Sequence, residues 1–193
     1  MKSFSAAKER LTSVLDAPQR RMLAQTLAEG VIRCAAPMPV TIVCDDREVA
    51  DWATDLGVAV VWAPGRGLDR AVASGVAHLA SLGFDWVTVA HADLPFAESL
   101  SDLPMNEGVT IVPDRHNDGT NVITVPSASG FTFSYGPGSF QRHTAEADRL
   151  GLPLLIVHDE HLGVDVDVPE DLDFIEHQTR LWGPEGPHTP SSL

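Results

Sequence analysis

Positive charge is scarce in this sequence. Lysine and arginine total 13 against 27 aspartates and glutamates, a formal net charge of −14 at neutral pH. Nucleic acid and anionic membranes are held by a cationic footprint, so this balance excludes both as expected partners. Any phosphate the chain handles must be met by metal ions, backbone amides and a few placed basic residues. Cysteine is nearly absent. Cys34 and Cys44 sit in the apolar runs IRCAA and TIVCDD and form no metal-type pair, which points to a reduced intracellular chain. Long apolar runs are missing as well. None approaches the roughly 18 residues of a membrane span, and MKSFSAAKERL carries no apolar signal core, so a soluble, cytoplasmic protein is expected. The chain has no GxxxxGKS/T phosphate loop, no GxGxxG after a strand, no HExxH, no paired CxxC and no GxSxG elbow. These absences count against P-loop and dinucleotide binding, zinc chemistry and serine hydrolysis.

What is present reads as a globular α/β chain. Its 193 residues, 44% hydrophobic and 21% charged, suit about one domain with a sizeable core. Short apolar runs alternate with helical patterns, the signature of a mostly parallel sheet with crossover helices. Helical spacing is read over Ala6–Leu15 and Arg20–Ala35, with Asp16-Ala-Pro18 as the break between them. Val40–Cys44, Val58–Trp62 and Phe84–Ala90 read as strands. Arg47–Leu56, with Asp46 as its cap, and Leu68–Leu82, stopped at Gly83, read as helices. In the second half Val109–Val112, Asn121–Val125 and Phe131–Tyr135 look like a small antiparallel insertion. Ser139–Leu150 reads as a helix, Leu154–Val157 as a strand and Pro169–Leu181 as a last helix. Residues 1–182 are taken as a single domain and 183–193, rich in Pro, Gly and Ser, as a loose tail.

Three features carry chemistry. Ligands collect at the carboxyl ends of strands in open α/β sheets, and Asp93 follows the strand WVTVA in a loop stiffened by Pro95. Position alone leaves two readings open: a divalent-cation ligand, or the cap of a helix starting near Glu98. Asp165 and Asp167 stand at i and i+2, so an extended backbone projects both carboxylates to one face. Two such charges repel unless a cation or hydrogen-bond donors compensate them, and magnesium favours oxygen ligands of this kind. The plainer alternative has Asp167 capping the helix that starts at Pro169, which leaves Asp165 unexplained. Finally, Gly136-Pro-Gly-Ser139 precedes a helix carrying Arg142 and His143. Its glycines permit close backbone approach, and amides at a helix start attract anions. Ser139 is read as a cap, a phosphate contact, or both.

Taken in order, KSFSAAKERL, GRGLDRAV, HADLP, DGTN, YGPGSFQRH and DVDVPEDL resemble the guanylyltransferases of coenzyme F-420 biosynthesis, from Lys2 to about Phe174. The resemblance implies a nucleotide-diphosphosugar-transferase-like three-layer α/β domain. The activity implied is transfer of GMP from GTP to phosphoenolpyruvate or 2-phospho-L-lactate with release of pyrophosphate. It implies Asp93, Asp165 and Asp167 as carboxylates holding Mg²⁺, and Thr120, Gly136 and Ser139 as the cradle of the phosphorylated acid. Lys2 and Lys8 match basic positions beside the GTP phosphates, and Gly67 and Leu68 fall where nucleoside contacts belong. No general base is assigned, and His91 and His143 are left without a role. Small-molecule substrates are the implied partners of a monomer or homodimer. The family's apolar first strand is missing ahead of Met1-Lys2, which is expected to expose the edges of its neighbours and favours an upstream start. Its Gly-Leu-Asn segment reads Gly67-Leu-Asp69 here, and an Asp cannot donate as an Asn amide does. The alternatives are a nucleotidyltransferase for another phosphorylated acceptor and a non-catalytic GTP-binding remnant.

Overall fold

The computed structural model describes residue 1 and residues 3–181; Lys2 and the expected tail at 183–193 lie outside the described residues. In chain order the elements are α1 (Ala17–Cys34), β1 (Thr41–Cys44), α2 (Arg47–Asp55), β2 (Ala59–Trp62), α3 (Gly67–Ser81), β3 (Trp86–Ala90), β4 (Val109–Pro113), β5 (Thr120–Pro126), α4 (Ser139–Arg149), β6 (Leu154–Ile156) and α5 (Pro169–Leu181). The N-terminal stretch expected to form one helix makes two single 3-10 turns, Phe4–Ala6 and Glu9–Leu11, with Lys8 left-handed between them at φ 57°. A left-handed residue cannot propagate a right-handed helix. The next helix starts earlier than the proline suggested. Asp16 and Gln19 form a reciprocal capping box, and Pro18 sits in the first turn, where it needs no amide partner.

The strands form two separate ladders. β1 and β2 pair in parallel, and the second sheet runs β3-β5-β4-β6. In it β5 is antiparallel to both β3 and β4, while β4 and β6 are parallel. Helices cover both faces. Val76 of α3 and Ala147 of α4 bury Val87, Val109, Ile111, Ile123 and Val125 on one face of the larger sheet. Val31 and Cys34 of α1 meet Val112 and Val122 on the other. Ile42 and Cys44 of β1 pack against Ala24, Val49 and Ala53 of α1 and α2. Each fully buried aliphatic side chain contributes about 1.5–3 kcal/mol, so the alternation along β4 and β5 fixes the register on both faces at once. On the opposite side of β1, α3 comes so close that a Cβ added to Gly75 would lie 2.5 Å from Val43 Cγ2. No helix among the described residues is long and apolar enough to cross a membrane. Cys34 and Cys44 are free and buried.

The expected strand at Phe131–Tyr135 is a correction. The alternation is real, since Phe131 and Phe133 enter the core, but the segment joins no ladder. Side chains take the places of a neighbouring strand. Thr132 N donates to Glu146 Oε1 (2.9 Å), Ser134 N to His143 Nε2 (3.0 Å) and Tyr135 N to Asp69 Oδ1 (2.7 Å).

Candidate functional site

The carboxyl end of β3 and the N-terminal end of the antiparallel β5 lie on one rim, because Ala90 opposes Val122. Asp93 leaves β3 in a loop with no helix near Glu98, which removes the capping alternative. Asp165 and Asp167 flank Val166, whose side chain is fully buried while Asp167 is exposed. The extended alternation predicted for this segment holds, and a backbone hydrogen bond from Val166 N to Asp93 O (3.2 Å) ties the two acidic segments together. Burial first, then the charges of Asp93 and Asp167, push the Asp165 carboxyl above its ordinary value.

Lys8 is the cation of this cluster. Its Nζ lies 2.5 Å from Asp93 Oδ2 and 3.4 Å from Asp167 Oδ1, and it also donates to the Val166 carbonyl. The left-handed turn at Lys8 aims a largely buried side chain into the acidic loops. Arg10 adds a longer contact, 3.7 Å to Asp167 Oδ2, which sequence reading did not single out. The capping alternative for Asp167 also fails. Asp171 is the carboxylate that closes the start of α5, its Oδ2 accepting the amides of Asp167 (2.6 Å) and Val168 (2.8 Å) while its Oδ1 meets Arg115 Nη2 at 2.5 Å. Asp167 keeps its carboxylate for Lys8 and Arg10, and Asp171 fixes the backbone beneath it.

One carboxylate oxygen, Asp93 Oδ1, is buried without a hydrogen-bond partner, and so is His91 Nε2. An unpartnered buried oxygen beside two further carboxylates has the donor chemistry of a hard cation. As placed, however, no three His, Cys, Asp or Glu side chains among the described residues are grouped to hold an ion. Lys8 stands between Asp93 and Asp167 instead.

The second group of residues lies around the start of α4. Gly136 (φ 95°) and Gly138 (φ 73°) make the turn, and Arg142 reaches back to the carbonyls of Ser134, Tyr135, Gly136 and Pro137 at 2.6–3.3 Å. The glycine turn therefore has a guanidinium at its centre. Asp118 holds it from the other side, with Oδ1 accepting Gly138 N (3.0 Å) and the backbone oxygen accepting Phe140 N (3.0 Å). Several amides at this helix start are thus already engaged. Ser139 is the first helical residue, not the cap, and its nearly buried hydroxyl makes no capping bond. Thr120 opens β5, buried, with its hydroxyl 3.0 Å from His143 Nδ1.

Two aromatic rings join the groups. The His91 ring lies 5.4 Å from that of Tyr135, which lies 5.0 Å from His143. Gly67 (φ 70°) begins α3, Leu68 is half-exposed, and Asp69 takes the Tyr135 amide. That contact needs only an acceptor, which an Asn amide oxygen also supplies, so it does not account for Asp at this position. Lys8, Asp93 and Asp167 meet directly, and Asp165 is near enough to feel the charges of Asp93 and Asp167; Thr120, Gly136 and Ser139 meet around α4; Gly67 and Leu68 connect through Asp69 and Tyr135. Arg10, His91, Asp69, His143 and Asp171 are the additions from the structure. Their signal in sequence was position beside a motif, which does not reveal contacts made across the fold.

A family model described as guanylyl transferase CofC like matches residues 1–179. The chain is 33% identical over 180 residues to the phosphoenolpyruvate guanylyltransferase of Sphaerobacter thermophilus, covering 88% of this chain and 86% of that one. It is 26% identical over 175 residues to the 2-phospho-L-lactate guanylyltransferase of Methanocaldococcus jannaschii, covering 88% and 76%. Among solved structures, a nucleotidyl transferase from Methanothermobacter thermautotroptrophicus superposes with a TM-score of 0.58 at 16% identity, covering 80% of this chain and 81% of its own. That last likeness concerns the fold alone.

Proposed function

The chain belongs to the guanylyl transferase CofC-like family, and on that premise we propose that it joins the guanylyl group of GTP to phosphoenolpyruvate or 2-phospho-L-lactate. In this reading an acceptor phosphate oxygen attacks the α-phosphorus of GTP, a new P–O bond forms, and the bond to the β-phosphate oxygen breaks to release pyrophosphate. The acceptor phosphate is already largely ionised near neutral pH, since its second pKa is about 6, so no side chain has to remove a proton.

The observation that carries the reading is the placement of the acidic group and the glycine turn on one rim, joined through His91 and Tyr135. The acid's phosphate is assigned to Thr120, Gly136 and Ser139, whose hydroxyls and backbone are uncharged donors. Lys8, with Lys2 from outside the described residues, serves the triphosphate. Gly67 and Leu68, at the mouth of the loop after β2, serve the nucleoside. Magnesium is proposed as the cation; Asp93, Asp165 and Asp167, which as they stand are not grouped around an ion, would supply one or two of its carboxylate oxygens and the phosphates the rest. Bound there, a divalent cation would supply charge neutralisation for the two reactant anions and for the attacking and leaving oxygens. The chain's own share is orientation, which lowers such barriers by about 7–11 kcal/mol.

Phosphoenolpyruvate is the preferred acceptor, because the relative named for it is 33% identical and the one named for 2-phospho-L-lactate 26%. A pyrophosphate-release assay with GTP, Mg²⁺ and each acid in turn tests this. Release with phosphoenolpyruvate and little with 2-phospho-L-lactate is the expected result. Release with neither removes the proposal.

A further inference from the structure

His143 is completely buried in α4, and the fold gives both of its ring nitrogens a partner. Nε2 lies 3.0 Å from the Ser134 amide. A backbone amide can only donate, so Nε2 must offer a lone pair. A neutral imidazole has one proton, which is then on Nδ1. Nδ1 lies 3.0 Å from Thr120 Oγ1, so the ring donates to the hydroxyl oxygen and leaves the threonine proton free to point elsewhere. The opposite tautomer would reverse this. Thr120 would donate inward to the ring and show only lone pairs to an incoming anion.

The surroundings hold the ring in this state. Phe131, Phe133 and Tyr135 pack around it at 5.8, 6.3 and 5.0 Å between ring centroids. The charged and titratable groups facing it are Arg142, Asp69, His91 and Glu146. Burial first, then the Arg142 charge, lower its pKa to about 4, so it is neutral across the working range. The Ser134 side of the contact is fixed too, because Arg142 holds the Ser134 carbonyl at 3.0 Å.

We propose that His143 is a positioning residue which, locked as the neutral Nδ1–H tautomer by the Ser134 amide, commits the Thr120 hydroxyl to donate its proton to the phosphorylated acid. The second half of that statement rests on Thr120 belonging to the acid's cradle; the tautomer does not. In a chain of net charge −14, a neutral donor whose polarity is fixed from behind is one way to hold a dianion without a surplus of cations.

The test separates the two parts. In ¹⁵N-histidine-labelled protein, His143 is expected to show a protonated, pyrrole-type Nδ1 and a bare, pyridine-type Nε2, unchanged between pH 8 and about pH 5. The reverse pattern, or a ring charged at pH 6, overturns the inference whatever the kinetics show. Thr120→Val examines the cradle: the KM for the acid is expected to rise about tenfold or more, as for the loss of a hydrogen bond to a charged group, with the KM for GTP within twofold. An unchanged acid KM sinks the cradle assignment, and with it the role given to Thr120, while leaving the tautomer to the NMR result. His143→Leu is expected to raise the acid KM about tenfold and His143→Asn, whose amide can donate from the Nδ1 position, to restore most of the loss. In the Thr120→Val background His143→Leu is expected to add nothing. Equal effects on both KM values, or full additivity, would reduce His143 to packing. Should the leucine variant not fold, the NMR pattern and the asparagine variant still decide the matter.

Discussion

Replacing Asp171 with Asn tests whether the acidic rim is held from below. The carboxylate is almost fully buried. It accepts from Asp167 N at 2.6 Å and Val168 N at 2.8 Å, and pairs with Arg115 Nη2 at 2.5 Å. An amide has one acceptor oxygen. It can serve the two backbone donors or the guanidinium, and whichever way it turns its NH₂ faces a donor. A hydrogen bond to a charged group is worth about 1.5–3 kcal/mol, and breaking a fully buried ion pair costs about 3–5 kcal/mol. Arg115, at 26% side-chain exposure, recovers part of that from water, so the expected loss is about 2–3 kcal/mol. At this chain length each kcal/mol moves Tm by about 2–4 °C, giving a drop of about 4–12 °C.

The pH dependence adds a second readout. Burial raises the Asp171 carboxyl, but the amides of Val168 and Asp167 and the Arg115 charge outweigh it, leaving the pKa below the ordinary carboxylate value. A carboxyl lowered in the fold contributes stability above the unfolded pKa and loses it as pH falls through the folded one. Asp171→Asn is therefore expected to destabilise at pH 7 and to flatten the acid limb of the stability curve below about pH 4. Thermal melts at pH 7 and pH 3, with Asp173→Asn on the exposed side of the same helix as control, decide it. The control is expected to stay within about 0.5 kcal/mol. Equal shifts for the two variants would refute the reasoning.

Other outcomes follow from the same geometry. Asp93→Asn is expected to cut pyrophosphate release to about a hundredth or less while the protein still melts cooperatively; near-normal turnover would remove Asp93 from the proposed cation site. Ser139→Ala is expected to raise the KM for the acid about 10–100-fold, the cost of one hydrogen bond to a charged group, and to leave that for GTP nearly unchanged; no change in the acid KM would leave Ser139 a packing residue. Gly75→Ala forces a methyl against Val43, a clash of about 1–3 kcal/mol that outweighs the roughly 1 kcal/mol gained in helix propensity, so Tm falls. Gly30→Ala in α1, where the nearest atom would be 4.0 Å away, is expected to raise Tm; shifts of the same sign would show that close approach is not the cause.

The strands and most helices were legible in sequence because their apolar periods are decided locally, and the last helix starts at Pro169, a residue suited to a first helical turn. The N-terminal helix and the strand at 131–135 were misread for one shared reason. Helical or alternating apolar spacing marks which side faces the core, and says nothing of where backbone groups find partners. Lys8 leaves the helical region to reach Asp93, and the 131–135 backbone is satisfied by side chains of Asp69, His143 and Glu146. The acidic residues were found from strand ends and i, i+2 spacing. The use of Asp171 beneath Asp167 needed the third dimension.

The seam between the two ladders bears on how the proposed ligands would be enclosed. Among the described residues no backbone hydrogen bond joins the β1–β2 pair to the four-stranded sheet. In a continuous sheet a displaced strand pulls its neighbour through the peptide ladder; here that mechanical relay stops at the seam. Gly67 and Leu68 follow one ladder, whereas Asp93, Thr120 and Ser139 belong to the other. The two flanks are linked by α1 and α3 and by contacts such as Asp69 to Tyr135. If Gly67 and Leu68 serve the nucleoside and Thr120 and Ser139 the acid, as proposed, any closing of one flank on the other would run through helices sliding over apolar side chains, a shear motion, with every ladder bond intact.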